Sequence, residues 1–361
     1  MSHPASLRFR WPVIVIIAAL VVVVAGMKAA SDLLEPFLLA IFFSIFCAPW
    51  VTFMTRRRIP EWLAVTLVVT ALFVALLIIA TALGASMNSF VRHLPDYQTV
   101  FLARLESVFN VLQGWGIELD ISSIREEFDP KVLVGILGKT ATQLGSALGT
   151  LMLVLLTVAF ILLEAARFPA KLHAALGEAD QGLAAFDRFS TGVKDYLAIK
   201  SMLSLGTGVA VFIWLWLCDV EYPLLWGMMA FFFNYIPNIG PFIAAIPACL
   251  LALVLNGFGN FAVVIAGYSI INMITGNVIE PKMLGKTMGL STLVVFCSLI
   301  FWGWILGPIG MVLSVPLTMI LRIGLDSSEE TRWAAVLLGP EVENKPPVAV
   351  SPKEDQPTSG A

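Results

Sequence analysis

The sequence predicts an all-α, polytopic helical membrane protein with about six full spans and two re-entrant helical hairpins forming an inverted repeat. Three observations predict it. The 361 residues are 58% hydrophobic and only 13% charged, whereas a soluble domain is nearer half apolar and a quarter charged. The apolar residues fall in long unbroken runs, unlike the alternating ten-residue segments of a membrane β-barrel. Two further apolar segments, 222–255 and 290–323, are each interrupted at the centre by proline and glycine.

Six runs approach the roughly 20 residues needed to cross about 30 Å of hydrocarbon. They are 11–29, 33–54, 61–87, 142–163, 199–218 and 259–279. The first follows Arg8 and Arg10 as a leader peptide would. Its apolar run is long for a leader and the next run begins almost at once, so it reads as a span. Residues 1–88 thus form an amino-terminal set of spans.

Residues 89–141 read as an extracytoplasmic amphipathic segment. Leu94, Tyr97, Phe101, Leu105, Val108 and Leu112 recur at helical spacing, opposite Arg92, Asp96, Arg104 and Glu106. Such a helix lies on the outer leaflet or packs against a neighbouring element. After the span 142–163, residues 164–198 read as a cytoplasmic amphipathic segment, with Leu183, Phe186, Phe189, Val193 and Tyr196 at the same spacing. Residues 199–325 form the transport core. Residues 326–361 form a cytoplasmic tail, too poor in apolar surface to order from about 340 onward.

The two interrupted segments each hold 34 residues. One helix of that length reaches about 51 Å, too long for a crossing. Two crossings need roughly 40 residues and a turn, which is too many. A hairpin that enters and leaves by one side satisfies both limits. Arg8, Arg10 and Arg56-Arg57-Arg58 place both termini in the cytoplasm, and Lys282, Lys286, Arg322 and Arg332 then fall inside as well. The outer loops hold Lys28 beside Asp32, Glu35, Asp219 and Glu221, where the two early carboxylates read as solvated.

A weak internal repeat joins the hairpins. IPNIGPFIAAIPACLLAL aligns with LGPIGMVLSVPLTMIL through Ile239-Gly240 and Ile309-Gly310, and through Pro247 and Pro316, with the glycines 70 residues apart. Each hairpin follows a full span, and the two enter from opposite sides. Inverted repeats with broken helices near the midplane mark many secondary transporters. Convergent punctuation of two unrelated segments is the alternative.

A proline break strands backbone groups, and hydrocarbon tolerates that only where the backbone is buried in protein or lines a wet cavity. A half-helix beginning near Pro241, capped by Asn238, would point its positive end at that cavity, and another near Ile309 would do likewise. Such ends favour a neutral polar or anionic solute over a bare cation. The candidate solute-binding residues are Asn234, Tyr235, Pro237, Asn238, Gly240 and Pro241 from the first tip, with Gly307, Pro308 and Gly310 from the second. Asn234 and Asn238 share a face if the helix extends that far. Tyr235, Trp302 and Trp304 offer flat apolar contacts.

Glu280, close to Asn272 and Asn277, is a coupling site, a latch, or a surface carboxylate paired with Lys282 or Lys286. Asp195 and Lys200 read as a solvated helix face. Cys47, Cys218, Cys249 and Cys297 are scattered without a CxxC, so neither a disulfide framework nor a metal site is expected. No HExxH, GxSxG or P-loop occurs, so no enzyme activity, cofactor, ATP-driven step or nucleic-acid partner is expected. Gly289-Leu290-Ser291 faintly suggests an intramembrane serine protease. That chemistry needs a base within the membrane, and His3, His93 and His173 all lie outside the expected spans.

FNYIPNIGPFIAAIP, together with GNVIEPKMLGKTMGLSTLVVFCSLIFWGWILGPIGMVLSVPLT, resembles the autoinducer-2 exporter family, or PerM-like permeases. The second stretch looks most like the branch named for autoinducer-2 export. The resemblance covers about residues 11–325, with its motifs confined to 222–323. The family's conserved elements fall on Pro237, Gly240, Pro241, Pro247, Glu280, Pro281, Gly285, Gly307, Gly310 and Pro316. The resemblance implies a multi-pass, homo-pentameric protein of the bacterial inner membrane with an elevator-like movement. It would export a small hydroxylated furanone signal through the lipid bilayer. Other members look like sodium or lithium/proton antiporters. The expected function is therefore secondary-type export of a small polar solute, with a sodium(lithium)/proton antiporter, or a channel, as alternatives.

Overall fold

The computed structural model describes residues 10–113, 149–165, 168, 171, 180–284, 289–326 and 329–339, and contains no strand among them. The helices are α1 (Arg10–Ala29), α2 (Ser31–Arg56), α3 (Glu61–Gln113), α4 (Gly149–Ala165), α5 (Asp180–Leu217), α6 (Pro223–Phe233), α7 (Gly240–Asn256) and α8 (Phe258–Met273). A π-helical turn, Ile274–Ile279, leads into α9 (Glu280–Leu284), followed by α10 (Thr292–Asp326) and α11 (Arg332–Leu337).

By length and composition, five helices among the described residues can cross a membrane: Ser31–Arg56, Glu61–Phe101, Thr191–Leu217, Phe258–Met283 and Thr292–Asp326. Three of the expected runs lie within these, and a fourth, 199–218, exceeds its helix by one residue. The run 11–29 falls in α1, and part of 142–163 lies outside the described residues, as does the tail from 340.

Two of the expected segments run on as one helix with their neighbours. The segment beginning at 89 does not start a new helix, because α3 continues through Pro95 as one helix of 53 residues, about 80 Å long. Helical periodicity persists across residue 88, so nothing ends the helix there. Leu83, Met87, Phe90, Leu94 and Tyr97 pack against the cluster built on α5–α8, so this face is covered within the chain. The side chains of Leu105, Val108 and Leu112, and residues 114–141, lie outside the described residues. Likewise α5 passes without a break from the amphipathic segment into the apolar run, over 38 residues. Its Val193, Tyr196 and Leu197 are buried with Val315 and Met319 of α10.

Four clusters hold these helices together. The largest joins α5, α6, α7 and α8 to the later part of α3. A second joins α2, α3 and α4 around Ala40, Ala64 and Val158. The third links α5 to α10, and the fourth seats the middle of α10 against α1 and α2. Where α5 crosses α6, glycines face each other. A Cβ on Gly208 would lie 2.8 Å from the Gly227 carbonyl, and one on Gly227 would lie 2.9 Å from that of Gly208. Only glycine lets two helix backbones approach so closely.

Two breaks shape the carboxy-terminal half. Between α6 and α7 the chain leaves the helix over 234–239, with Asn238 left-handed at φ 62°. Within α10, Leu306 (φ −115°, ψ 15°) and Gly307 (φ 59°, ψ −149°) are non-helical. After each break a glycine presses on an earlier carbonyl. A Cβ on Gly240 would sit 1.8 Å from the Phe233 oxygen, and one on Gly310 would sit 2.0 Å from the Trp302 oxygen.

Candidate functional site

A cavity of about 1700 Å³ lies among α5, the α6–α7 break, α8 with its π-turn, and the start of α10. From the first break it receives Asn234, Pro237, Asn238 and Pro241. Asn234 is buried, 5% exposed, and its Nδ2 donates to Ser204 Oγ of α5 at 3.0 Å. Asn238 is exposed. It does not cap α7: the N-cap position belongs to Ile239, and no side chain caps that end. Asn238 instead takes the left-handed residue of the turn, a conformation asparagine tolerates better than most. The backbone leaves the helix at Asn234, so the two asparagines do not share a helical face, yet both reach the cavity.

Tyr235 and Gly240 do not line it. The Tyr235 hydroxyl donates to Ser201 Oγ at 2.8 Å, and its ring meets Phe42 and Phe231 edge-on. Gly240 is spent on the close approach to Phe233.

The opposite wall comes from α8 and the π-turn, with Tyr268, Ser269, Asn272, Thr275, Asn277 and Glu280. π-turns inside α-helices are rare and frequent at functional sites. Glu280 begins α9 and accepts a hydrogen bond from Lys200 Nζ at 2.6 Å. Their side chains are 21% and 3% exposed. Two expectations are corrected here. Lys200 is not solvated, because it sits on the face of α5 that turns toward the π-turn. Glu280 pairs with Lys200 and not with Lys282, which is exposed, while Lys286 lies outside the described residues. Asp195 is exposed, as expected.

The second tip lies elsewhere. Gly307, Pro308 and Gly310 are absent from the cavity wall, as are Trp302 and Trp304. α10 contributes Thr292 and Val295 from its start and Val315 from the half beyond the break. Lys28 Nζ donates to the carbonyls of Trp304 (2.6 Å) and Ile305 (3.3 Å), the last helical carbonyls before the break. A helix that stops strands its final carbonyls and concentrates partial negative charge there, and this ammonium meets both needs. The Glu35 carboxylate lies on the open side of Gly307, and Lys28 is more than a loop charge. Trp302 is buried and its Nε1 donates to Thr318 Oγ1 at 3.0 Å, joining the two halves of α10. The expected meeting of the two tips is therefore not the arrangement seen. The apolar part of the wall includes Phe242, Ile246, Leu250, Phe261 and Ile265, and not the expected tryptophans.

Sequence reasoning missed Tyr196, Lys200, Ser204 and Thr207, all buried on α5. Their spacing of four, four and three places a polar stripe on one face of an apolar helix, a signal that was readable. Tyr268 was missed too. Its ring borders the cavity while its hydroxyl is buried without a hydrogen-bond partner. Among the described residues no group of three or more His, Cys, Asp or Glu is placed to hold a metal. The site offers amides, hydroxyls and a single ion pair, which suits hydrogen bonding to a polar solute more than bond-breaking chemistry.

The family model described as AI-2E family transporter matches residues 17–329. The AI-2 transport protein TqsA of Escherichia coli K12 is 39% identical over 338 residues, covering 94% of this chain and 98% of that protein. A putative transport protein of Haemophilus influenzae is 41% identical over 90% of this chain and 94% of its own. The putative transport protein YhhT of E. coli K12 is 37% identical over 94% and 97%.

Proposed function

Because the chain belongs to the AI-2E family of transporters, we propose that it exports autoinducer-2 across the bacterial inner membrane as a secondary-type carrier. The observation that carries this reading is the cavity at the first break, bordered by Asn234, Asn238, Asn272 and Asn277. Amides donate and accept, which suits a small solute bearing several hydroxyls. The one acid and one base on the wall, Glu280 and Lys200, already neutralise each other.

In this reading the solute-binding residues are Asn234, Pro237, Asn238 and Pro241, with Asn272 and Asn277 facing them. The Lys200–Glu280 pair is the latch that holds the π-turn against α5 while the cavity is closed to one side. Gly307, Pro308 and Gly310 form the hinge at which α10 is seated on α1 and α2. Six full spans and two re-entrant hairpins, 222–255 and 290–323, form an inverted repeat with both termini cytoplasmic. The matched roles of Gly240 and Gly310, each closing onto a carbonyl after a break, support the repeat. The amino-terminal helices form the scaffold of a homo-oligomer, a pentamer by family resemblance, and the core moves against it.

Proteoliposomes loaded with autoinducer-2 test this directly. The protein should accelerate efflux, and Asn238→Ala should slow it while assembly stays intact. Absence of efflux by the wild-type protein would overturn the cargo assignment.

The second reading, a sodium(lithium)/proton antiporter, is favoured by one feature, the partly buried Glu280 carboxylate beside the cavity. It requires sodium-dependent proton movement in the same vesicles, lost in Glu280→Gln.

A further inference from the structure

A second cavity, of about 400 Å³, opens between α2 and α5. Ala48, Pro49 and Phe53 line it on the apolar side, and Thr52, Arg56 and Lys194 supply its polar groups. Arg56 ends α2, and Arg57 and Arg58 follow it. The Arg57 guanidinium stacks 4.5 Å over the Phe53 ring. Arg56 and Lys194 are both exposed, and neither belongs to an ion pair among the described residues. Asp195 adjoins Lys194 in sequence but does not line the cavity. Two cations from different helices thus line one crevice with no acid among its described lining residues.

The position gives this arrangement meaning. Arg56 lies where an apolar helix meets a run of three arginines, the boundary between hydrocarbon and water. The apolar side of the crevice runs along α2 back into its apolar run. Ala48, Pro49 and Phe53 carry no polar side-chain atom, so this wall is apolar. A ligand matching both halves carries a phosphate and an acyl chain. Basic pockets between spans on the cytoplasmic side suit acidic lipid headgroups, and the volume falls in the range of small-molecule clefts. A free phosphate would satisfy the cations and leave Ala48, Pro49 and Phe53 facing nothing.

We infer that this crevice binds one anionic phospholipid, its phosphate between Arg56 and Lys194 and its acyl chain along Phe53, Pro49 and Ala48. The lipid crosses the seam between α2, in the amino-terminal spans, and α5, in the core. It therefore strengthens the contact across which the core moves. The inference rests on the membrane reading and not on the identity of the cargo.

The full chain in nanodiscs of phosphatidylethanolamine and phosphatidylglycerol provides the test, with lipid retention read by native mass spectrometry. The wild type should retain phosphatidylglycerol, and R56Q/K194Q should bind it roughly tenfold more weakly. R58Q/R332Q removes the same charge from exposed sites outside the crevice and should retain lipid as the wild type does. F53S keeps both cations and removes apolar wall, so it should also lose retention. Inorganic phosphate should not displace the lipid. Phosphatidylglycerol should raise the melting temperature of the wild type and of R58Q/R332Q but not of R56Q/K194Q. Equal retention by R56Q/K194Q and the wild type would overturn the site. Displacement by phosphate alone, or full retention by F53S, would overturn the lipid as its ligand.

Discussion

The two breaks in the carboxy-terminal half use the same local device in opposite surroundings. Each pairs a left-handed residue, Asn238 or Gly307, with a glycine that closes onto a carbonyl, Gly240 or Gly310. At the first break the chain opens for six residues, 234–239, and borders a large cavity. At the second only Leu306 and Gly307 leave the helix, and Lys28 caps the preceding carbonyls. One break brings side-chain amides to a space a solute can fill, while most of its own backbone N–H groups are bonded within the turn; the other has its stranded carbonyls met by Lys28. The difference shows that a proline-glycine break is not by itself a binding site: the neighbours decide. A helix-ending carbonyl beside an ammonium needs no ligand, whereas side-chain amides beside a cavity can bind one.

The comparison breaks most severely if the shared device is removed. Gly240→Ala and Gly310→Ala each drive a methyl group to about 2 Å from a backbone carbonyl, which cannot yield as a flexible side chain can. Each should cost about 3 kcal/mol or more and sharply lower the melting temperature in detergent. A variant that melts like the wild type would remove the close approach at that break. The next largest effect separates the cavity from its latch. Lys200→Met leaves Glu280 partly buried and unpaired, at a cost of about 3–5 kcal/mol, while Lys200→Met with Glu280→Leu should recover most of it. Equal melting of the single and double variants would show that the pair does not hold the π-turn. Lys28→Met acts on the second break alone and should cost about 1–2 kcal/mol through the lost cap. Autoinducer-2 affinity, read as half-saturation in efflux assays, should stay unchanged. Asn238→Gly, at the first break, relieves a left-handed residue and should change stability by less than about 1 kcal/mol. Its amide is lost, so efflux should still fall.

Much of the membrane architecture was legible because apolar length and proline-glycine punctuation are local signals. The runs 11–29 and 33–54 nearly match α1 and α2, and the break at Pro237–Pro241 was visible in PNIGP. What stayed hidden depends on distance or on continuity. Lys28 and Trp304 are 276 residues apart, and Lys200 and Glu280 are 80 apart. No local pattern pairs them, so Lys28 read as a loop charge and Lys200 as a surface one. The helices α3 and α5 outrun their apolar stretches because a change from apolar to amphipathic composition alters what a helix faces, not whether it continues. Asn238 was correctly placed at the break but wrongly cast as a cap. A left-handed backbone angle satisfies the same residue preference by a different route.

The central claim is that solute binds at the first break and not at the second. It is tested most directly by labelling single cysteines, Asn238→Cys and Pro308→Cys, in a chain whose four native cysteines are replaced. Autoinducer-2 should slow maleimide modification at position 238 and leave position 308 unaffected. Protection at 308 alone, or equal protection at both, would contradict it.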